Sequence, residues 1–198
     1  MSTPHIAALG IDVGGTGIKG AIVDIATGRL ISKRRQSATP QPATPATVST
    51  AIAELVTALD FTGPIGIAFP SAINDGAVLT AANLDKSWIG QHIGTVIDGH
   101  LPARATYLND ADAATLAEVR YGIGRDTGGL TIMVTFGTGI GTGLAHSGRL
   151  VPNAELGHIE IDGVPAEIAA SAVARERNNL TWEQWAERGN RYLTTLEN

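Results

Sequence analysis

IAALGIDVGGTGIKGAIVD, residues 6–24, is the stretch whose reading decides the fold of this 198-residue chain. An apolar run at 6–11 leads to Asp12, a glycine cluster follows, and a second β-prone run occupies 18–23. A strand that carries a carboxylate to a glycine turn is a phosphate-handling device. Glycines let backbone N–H groups approach and point at an anion, and an Asp beside them can hold Mg²⁺ through water. A P-loop would need Gly-Lys-Ser/Thr, but Ile18 precedes Lys19 and Gly20 follows it, so the hydroxyl for the metal is missing. Gly15, Gly17 and Gly20 do fit the G-x-G-x-x-G of a dinucleotide site. That site needs a helix next, whereas the β-branched run 21–25 enters Thr27-Gly28, a turn signal. Its downstream acid is also absent; Lys33, Arg34 and Arg35 stand there, leaving only an NADP variant of that reading. Local propensity favours a β-hairpin whose glycine turn wraps phosphates, with Asp12 at the tip of its first strand.

Composition narrows the classes. A hydrophobic content of 43% suits a real core, and the length suits one large or two small domains. A net charge of −5 argues against a general nucleic-acid-binding role. The absence of cysteine excludes disulfides, thiol catalysis and Cys-ligated zinc, and suits a reducing compartment. No apolar run approaches the ~20 residues of a membrane span. The start, MSTPHIAA, lacks the basic-then-apolar order of a secretory leader, so a cytoplasmic location and no membrane partner are expected.

Outward from the hairpin, residues 30–37 read as a third strand and 39–47 as a Pro/Thr-rich connector. Val48, Ile52, Leu55, Val56 and Leu59 recur at helical spacing over 46–59, with Gly63-Pro64 as the stop. The run 65–69 is a short buried strand of the parallel type. An Asn-Asp-Gly turn follows at 74–76, a short helix within 89–97, a strand at 105–108, and a helix over 111–121. Strands at 128–136 and 139–146 flank a second glycine cluster, Ser147-Gly148 is a turn, and 167–177 and 181–196 read as helices, the last capped by Thr181.

The second glycine cluster repeats the first. Gly15-Thr16-Gly17-Ile18 recurs as Gly137-Thr138-Gly139-Ile140, 122 residues on, and Gly28-Arg29-Leu30-Ile31 recurs as Gly148-Arg149-Leu150-Val151, 120 residues on. Two matches in the same order and context predict two similar domains, 1–122 and 123–198, each opening with a phosphate hairpin. The second hairpin is then two residues shorter. By the same period a full second domain would reach roughly residue 245–250, so its copy here is expected to be incomplete.

Together these stretches resemble the ROK sugar kinases of the actin-like, hexokinase-like superfamily. The carriers are IDVGGTGIKGAIVD at 11–24, TAANLDKSWIG at 80–90, LNDADAA at 108–114, TFGTGIGTGLAHSGRLVPNAELGH at 135–158 and the Glu-x-Ala-Ala-Ser of 167–171. The wording of 80–90 points to the polyphosphate-using glucokinase branch. The resemblance implies an α/β, ribonuclease H-like fold with duplicated βββαβα domains around a cleft. It implies Mg²⁺-dependent phosphoryl transfer from inorganic polyphosphate, ATP or both to the 6-hydroxyl of glucose, and it leaves a homodimer open. Typical ROK proteins carry a cysteine-rich zinc motif that this chain lacks, so zinc is not expected. The family's C-terminal glycine-rich segment, which helps hold the adenosine of ATP, and its closing helix are not in the sequence. A strictly ATP-dependent sugar kinase and a sugar-binding remnant without turnover are the competing expectations.

Phosphoryl transfer to a hydroxyl needs a base at that hydroxyl, neutralised phosphates and alignment. Asp110 ends an apolar strand beside Asn109, at a cleft edge, and by resemblance takes the 6-hydroxyl proton; the plainer reading is that it only caps the helix behind it. Asp112, two residues on, reads as a surface acid favoured by the helix dipole. Glu155 and His158 lie three apart and share one face of a helix or tight turn, able to bind a metal with Glu160 or to hydrogen-bond hydroxyls. By resemblance Glu155, His158 and Glu167 bind glucose hydroxyls, with Asn83, Asn109 and Asp110. Glu167 could equally be a solvated residue near a helix start. Asp12 is the Mg²⁺-water residue. Gly14, Gly15, Thr16 and Lys19 face the donor phosphates on one side, and Gly137, Thr138 and Gly139 on the other. Lys86, Arg34 and Arg35 could extend a basic track for a polyanion. Trp88 could stack on a sugar, and Trp182 and Trp185 are read as core packing.

Overall fold

The computed structural model describes residues 6–197. The leader reading, which concerns residues 1–5, falls outside them. The opening stretch folds as the hairpin of β1 (Ala7–Val13) and β2 (Gly17–Asp24), paired antiparallel from Ala7↔Asp24 to Val13↔Ile18. Because β2 is a strand where a dinucleotide site needs a helix, the NADP reading is overturned.

Three further strands complete the first sheet: β3 (Arg35–Ala38), β4 (Ile65–Phe69) and β7 (Ala105–Asn109), in the order β3-β2-β1-β4-β7. β4 is parallel to β1, and β7 is parallel to β4. The expected strand over 30–37 is shorter than read. Only a single bridge, Val23↔Leu30, precedes the ladder that begins at Arg35.

Helix α1 (Pro45–Leu59) covers one face of this sheet. Its start is set by Thr44 and Thr47 in a reciprocal capping box, with Pro45 in the first turn. Its end comes at left-handed Asp60 (φ 49°), before the Gly63-Pro64 stop read from the sequence. Val48, Ile52, Leu55 and Val56 meet Leu9, Ile11, Ile18, Ile65 and Ile67 in the main core. The small hairpin of β5 (Ile73–Asn74) and β6 (Ala77–Val78) and the short helix α2 (Ile93–Ile97) close that core.

Trp88 is fully buried there, edge-on to Phe69, with its indole N–H donating to the Ala43 carbonyl at 3.0 Å. It is core and has no open face for a sugar. Trp88→Ala should therefore cost about 3–5 kcal/mol, read as a shift of the denaturation midpoint with the slope unchanged.

Helix α3 (Asp110–Tyr121) follows β7 directly and packs on the second sheet, β10 (Arg149–Val151), β9 (Ile140–His146) and β8 (Leu130–Phe136), in that order. Gly143 makes the approach possible, because a Cβ there would meet the Ala111 carbonyl at 2.8 Å and overlap Thr115. The sequence repeat is a structural one over these hairpins. Its two-residue shortening lies in the outer turn. The Asp24 N–H donates to Arg29 O across residues 25–28, whereas Arg149 pairs with His146 across Ser147-Gly148 alone.

The tail differs from the expected helix over 167–177. Ser171 breaks it into α4 (Ala166–Ala170) and α5 (Ala172–Arg177), which its side chain caps. Between β10 and α4 lies the two-stranded ribbon of β11 (Glu160–Ile161) and β12 (Val164–Pro165). The last helix, α6 (Trp182–Glu197), packs Tyr192 and Trp185 against Phe136. Trp182 does not serve the core as read; it is 63% exposed, with the Arg175 guanidinium stacked on it at 3.8 Å. Among the described residues no helix is long and apolar enough to cross a membrane.

Candidate active site

The C-terminal ends of β1, β4 and β7 lie side by side, because Asp12 is in register with Ala68 and Phe69 with Asn109. This is the edge where α/β sheets present ligands. Asp12 leaves β1 here, half-exposed, with the Lys19 ammonium 3.5 Å from its carboxylate. The turn beyond is closed by the Gly14 N–H donating to Gly17 O at 2.9 Å. Thr39 braces it from behind, its hydroxyl donating to Gly14 O at 2.6 Å and its N–H to Thr16 O at 3.2 Å. Nothing in the sequence marked Thr39, which looked like part of a connector. Arg34 lines the same groove as Asp12 and Lys19. Lys86 does not join a basic track; its ammonium is committed to the Ala81 carbonyl at 2.6 Å.

Asp110 is the first residue of α3, but it is not the cap. Asn109 is: its side-chain oxygen accepts from Ala111 and Asp112 N–H at 2.9 and 3.1 Å, and its amide donates to Ser71 O at 3.3 Å. One Asp110 oxygen also accepts the Ala111 N–H at 2.9 Å. Although Asp110 borders open solvent, its carboxyl is pushed up from the ordinary aspartate range. Loss of solvent is the main cause; the Ala111 N–H opposes it, and the charges of Asp12 and Asp112 add to it. Asp112 is not a surface acid. It is 1% exposed, and one oxygen accepts the Asn153 N–H at 2.9 Å.

Glu155 precedes and His158 ends a single 3₁₀ turn, Leu156–His158, that follows β10. The turn is pinned to β9 by Thr142, whose hydroxyl donates to Ala154 O and accepts the Leu156 N–H. The His158 ring stands between two carboxylates, Nε2 3.7 Å from Glu155 and Nδ1 3.7 Å from Glu167. These separations are too long for hydrogen bonds, so all three side chains keep capacity for a polar ligand. Burial raises the Glu155 carboxyl, His158 lowers it, and Asp110, Asp112 and Glu167 raise it further. Glu167 is thus no solvated bystander. Glu160, the third ligand considered for a metal, lies on β11, and among the described residues no group of three His, Asp or Glu could hold one.

Each glycine turn touches a residue of the polar cluster. A Cβ on Gly15 would come within 2.9 Å of Asn83 Cβ, and a Cβ on Gly139 would overlap the Glu167 carboxylate. Gly137 and Thr138 complete the second turn, closed by the Gly137 N–H donating to Gly139 O at 2.9 Å. Gly139→Ala should push the Glu167 carboxylate off His158.

Fold and cleft define an actin-like, hexokinase-like α/β protein with two glycine turns facing a carboxylate-rich centre. The chain belongs to the ROK family, whose profile matches residues 8–179. It is 50% identical to the polyphosphate glucokinase of Mycobacterium tuberculosis (strain CDC 1551 / Oshkosh), over all of this chain and 75% of that protein. The crystal structure of the inorganic polyphosphate/ATP-glucomannokinase from Arthrobacter sp. strain KM superposes with a TM-score of 0.92 at 47% identity, covering 96% of this chain and 78% of that one. A ROK family glucokinase from Streptomyces griseus, solved with glucose and AMPPNP, superposes at 0.75 with 29% identity, over 87% of this chain and 59% of its own.

Proposed function

We propose that this protein is a polyphosphate glucokinase, moving a phosphoryl group from inorganic polyphosphate to the 6-hydroxyl of glucose, with ATP as a second donor. One observation carries the reading: Asp110, the first residue of α3 at the C-terminal edge of the first sheet, has one oxygen held by the Ala111 N–H and lies within electrostatic reach of both Asp12 and Glu155. The identity of half the residues to a polyphosphate glucokinase supports the choice of donor.

In this reading Glu155, His158, Glu167, Asn83 and Asn109 hold the sugar hydroxyls and turn the 6-hydroxyl to Asp110. Asp110 accepts its proton as the oxygen attacks the terminal phosphorus. The bond from phosphorus to the bridging oxygen breaks opposite, and polyphosphate one unit shorter, or ADP, departs. The Ala111 N–H fixes one edge of the Asp110 carboxyl and leaves the other oxygen for the proton. Gly14, Gly15, Thr16 and Lys19 on one side, and Gly137, Thr138 and Gly139 on the other, clasp the donor.

A lone half-exposed carboxylate beside a phosphate turn fits Mg²⁺, which takes one or two carboxylates plus phosphate oxygens and water. Asp12 would hold it, and the ion would neutralise developing charge on the phosphates. We place the two lobes at 1–122 and 123–198 and the protein in the cytoplasm.

The test is glucose 6-phosphate formation with Mg²⁺ and either polyphosphate or ATP. Turnover with polyphosphate is expected. Turnover with ATP alone would select the ATP-dependent reading, and glucose binding without turnover would select a sugar-binding role.

A further inference from the structure

We infer that Asn153 is a positioning residue for the sugar site, a clamp that fixes Glu155 relative to Asp110 across the cleft. Asn153 lies two residues before Glu155, on the segment leaving β10, in a left-handed conformation (φ 59°). Its side-chain amide grips the backbone of Ile73 at both edges, donating to Ile73 O at 2.8 Å and accepting the Ile73 N–H at 3.1 Å. Ile73 belongs to β5, beyond the C-terminal end of the first sheet. One side chain on the second hairpin thus imitates a strand partner for the first lobe.

The other side of Asn153 is held as well. Its N–H donates to Asp112, a carboxylate buried at 1% exposure in the first turn of α3, whose second oxygen has no partner. An incompletely paired buried carboxylate is costly, and nothing in the transfer chemistry above uses it. Its position accounts for it. Asp112 is two residues beyond Asp110 in the same first turn, so the bond to Asn153 ties that turn to the segment carrying Glu155. A second tie runs from Ile73 through Ser71, two residues before it, whose carbonyl receives the Asn109 amide, to the same helix start. Thr142 then holds Ala154 and Leu156 to β9, leaving Glu155 little freedom of its own.

The inference rests on the glucose-site reading above, and its test separates the two. Asn153→Gly is the clean probe, because glycine takes the same φ without strain and only the amide is lost. It should raise the glucose KM roughly tenfold, the scale of one or two hydrogen bonds, and leave the polyphosphate KM within about twofold. Asp112→Ala should match it. Asp112→Asn, which keeps a carbonyl acceptor for the Asn153 N–H, should stay near the wild type. An unchanged glucose KM in Asn153→Gly, a parallel rise in both KM values with a fall in Tm, or equal damage from Asp112→Asn and Asp112→Ala would overturn the inference. Amide hydrogen exchange without sugar decides the clamp independently: the Ile73 N–H should be protected in the wild type and released in Asn153→Gly. A wild type that neither binds nor phosphorylates glucose defeats the functional reading, while an unprotected Ile73 amide defeats the clamp.

Discussion

Asp110→Asn should lower kcat by about 10²–10⁴-fold, the range for losing a general base, with the glucose KM changed by no more than about threefold. The amide keeps the shape of the carboxylate, can still accept the Ala111 N–H, and can still hydrogen-bond a hydroxyl. It cannot accept the proton. Helix α3 should survive the change, because its cap is Asn109. Because burial and the Asp12 and Asp112 charges raise the Asp110 carboxyl, with the Ala111 N–H only partly opposing them, the acid limb of kcat/KM should lie above the ordinary aspartate range. Activity should rise with pH through that limb. Stability runs the other way. A carboxyl raised in the folded state contributes stability that is full below its unfolded pKa and is lost as pH rises through its folded one. The Tm of Asp110→Asn at pH 7 should therefore equal or exceed that of the wild type. Near-normal turnover in this variant would mean that Asp110 is not the base.

The features that the sequence made legible are those with a local cause. The hairpin at residues 6–24 is legible because two apolar, β-prone runs flank a glycine-rich turn. The repeat exposed the second hairpin, down to the two residues missing from its outer turn. Asp110 stood out at a strand end and Glu155 and His158 by their spacing, with the family resemblance adding their roles and Glu167; the structure brings Glu155 and Glu167 to either side of the His158 ring. The misreadings were nonlocal. Asp112 looked like a dipole-favoured surface acid because its burial comes from Asn153, 41 residues away. Lys86 looked free because its acceptor is a backbone carbonyl, which composition does not reveal. Trp182 looked like core because helical spacing does not say which apolar face of α6 finds a partner. Thr39 gave no signal at all, since its partners are the carbonyl of Gly14 and the backbone of Thr16.

The two glycine turns share a design that sequence could not express. Each is small on the side that meets a polar side chain, Asn83 against Gly15 and Glu167 against Gly139. The backbone of each turn thus lies close enough to one of these side chains to leave no room for a methyl group. Under the proposed assignment, a donor phosphate that tightens either turn would bear directly on a side chain at the sugar, and positioning energy from one substrate would be spent on the other.

Gly157→Ala should have the largest effect of any single methyl group in the site. Gly157 is the middle residue of the 3₁₀ turn between Glu155 and His158, and it is buried against β9. A Cβ there would overlap the Ile140 carbonyl oxygen and lie 3.0 Å from the Ile140 carbonyl carbon. Ile140 is the first residue of β9 and pairs with Phe136 across the second glycine turn, so its backbone is held in the sheet. The turn must move instead, and it can move only outward. Overpacking of this kind costs about 1–3 kcal/mol, which should appear as a lower Tm. The catalytic cost is larger. Thr142 holds both Ala154 and Leu156, so an outward shift carries Glu155 and His158 together while Glu167, on α4, stays in place. A misplacement of ~1 Å in such a site costs about 10²-fold, so kcat/KM for glucose should fall about 100-fold, with donor binding in the absence of sugar unchanged. A Gly157→Ala protein with wild-type kcat/KM would show that the Glu155–His158 turn does not hold the sugar.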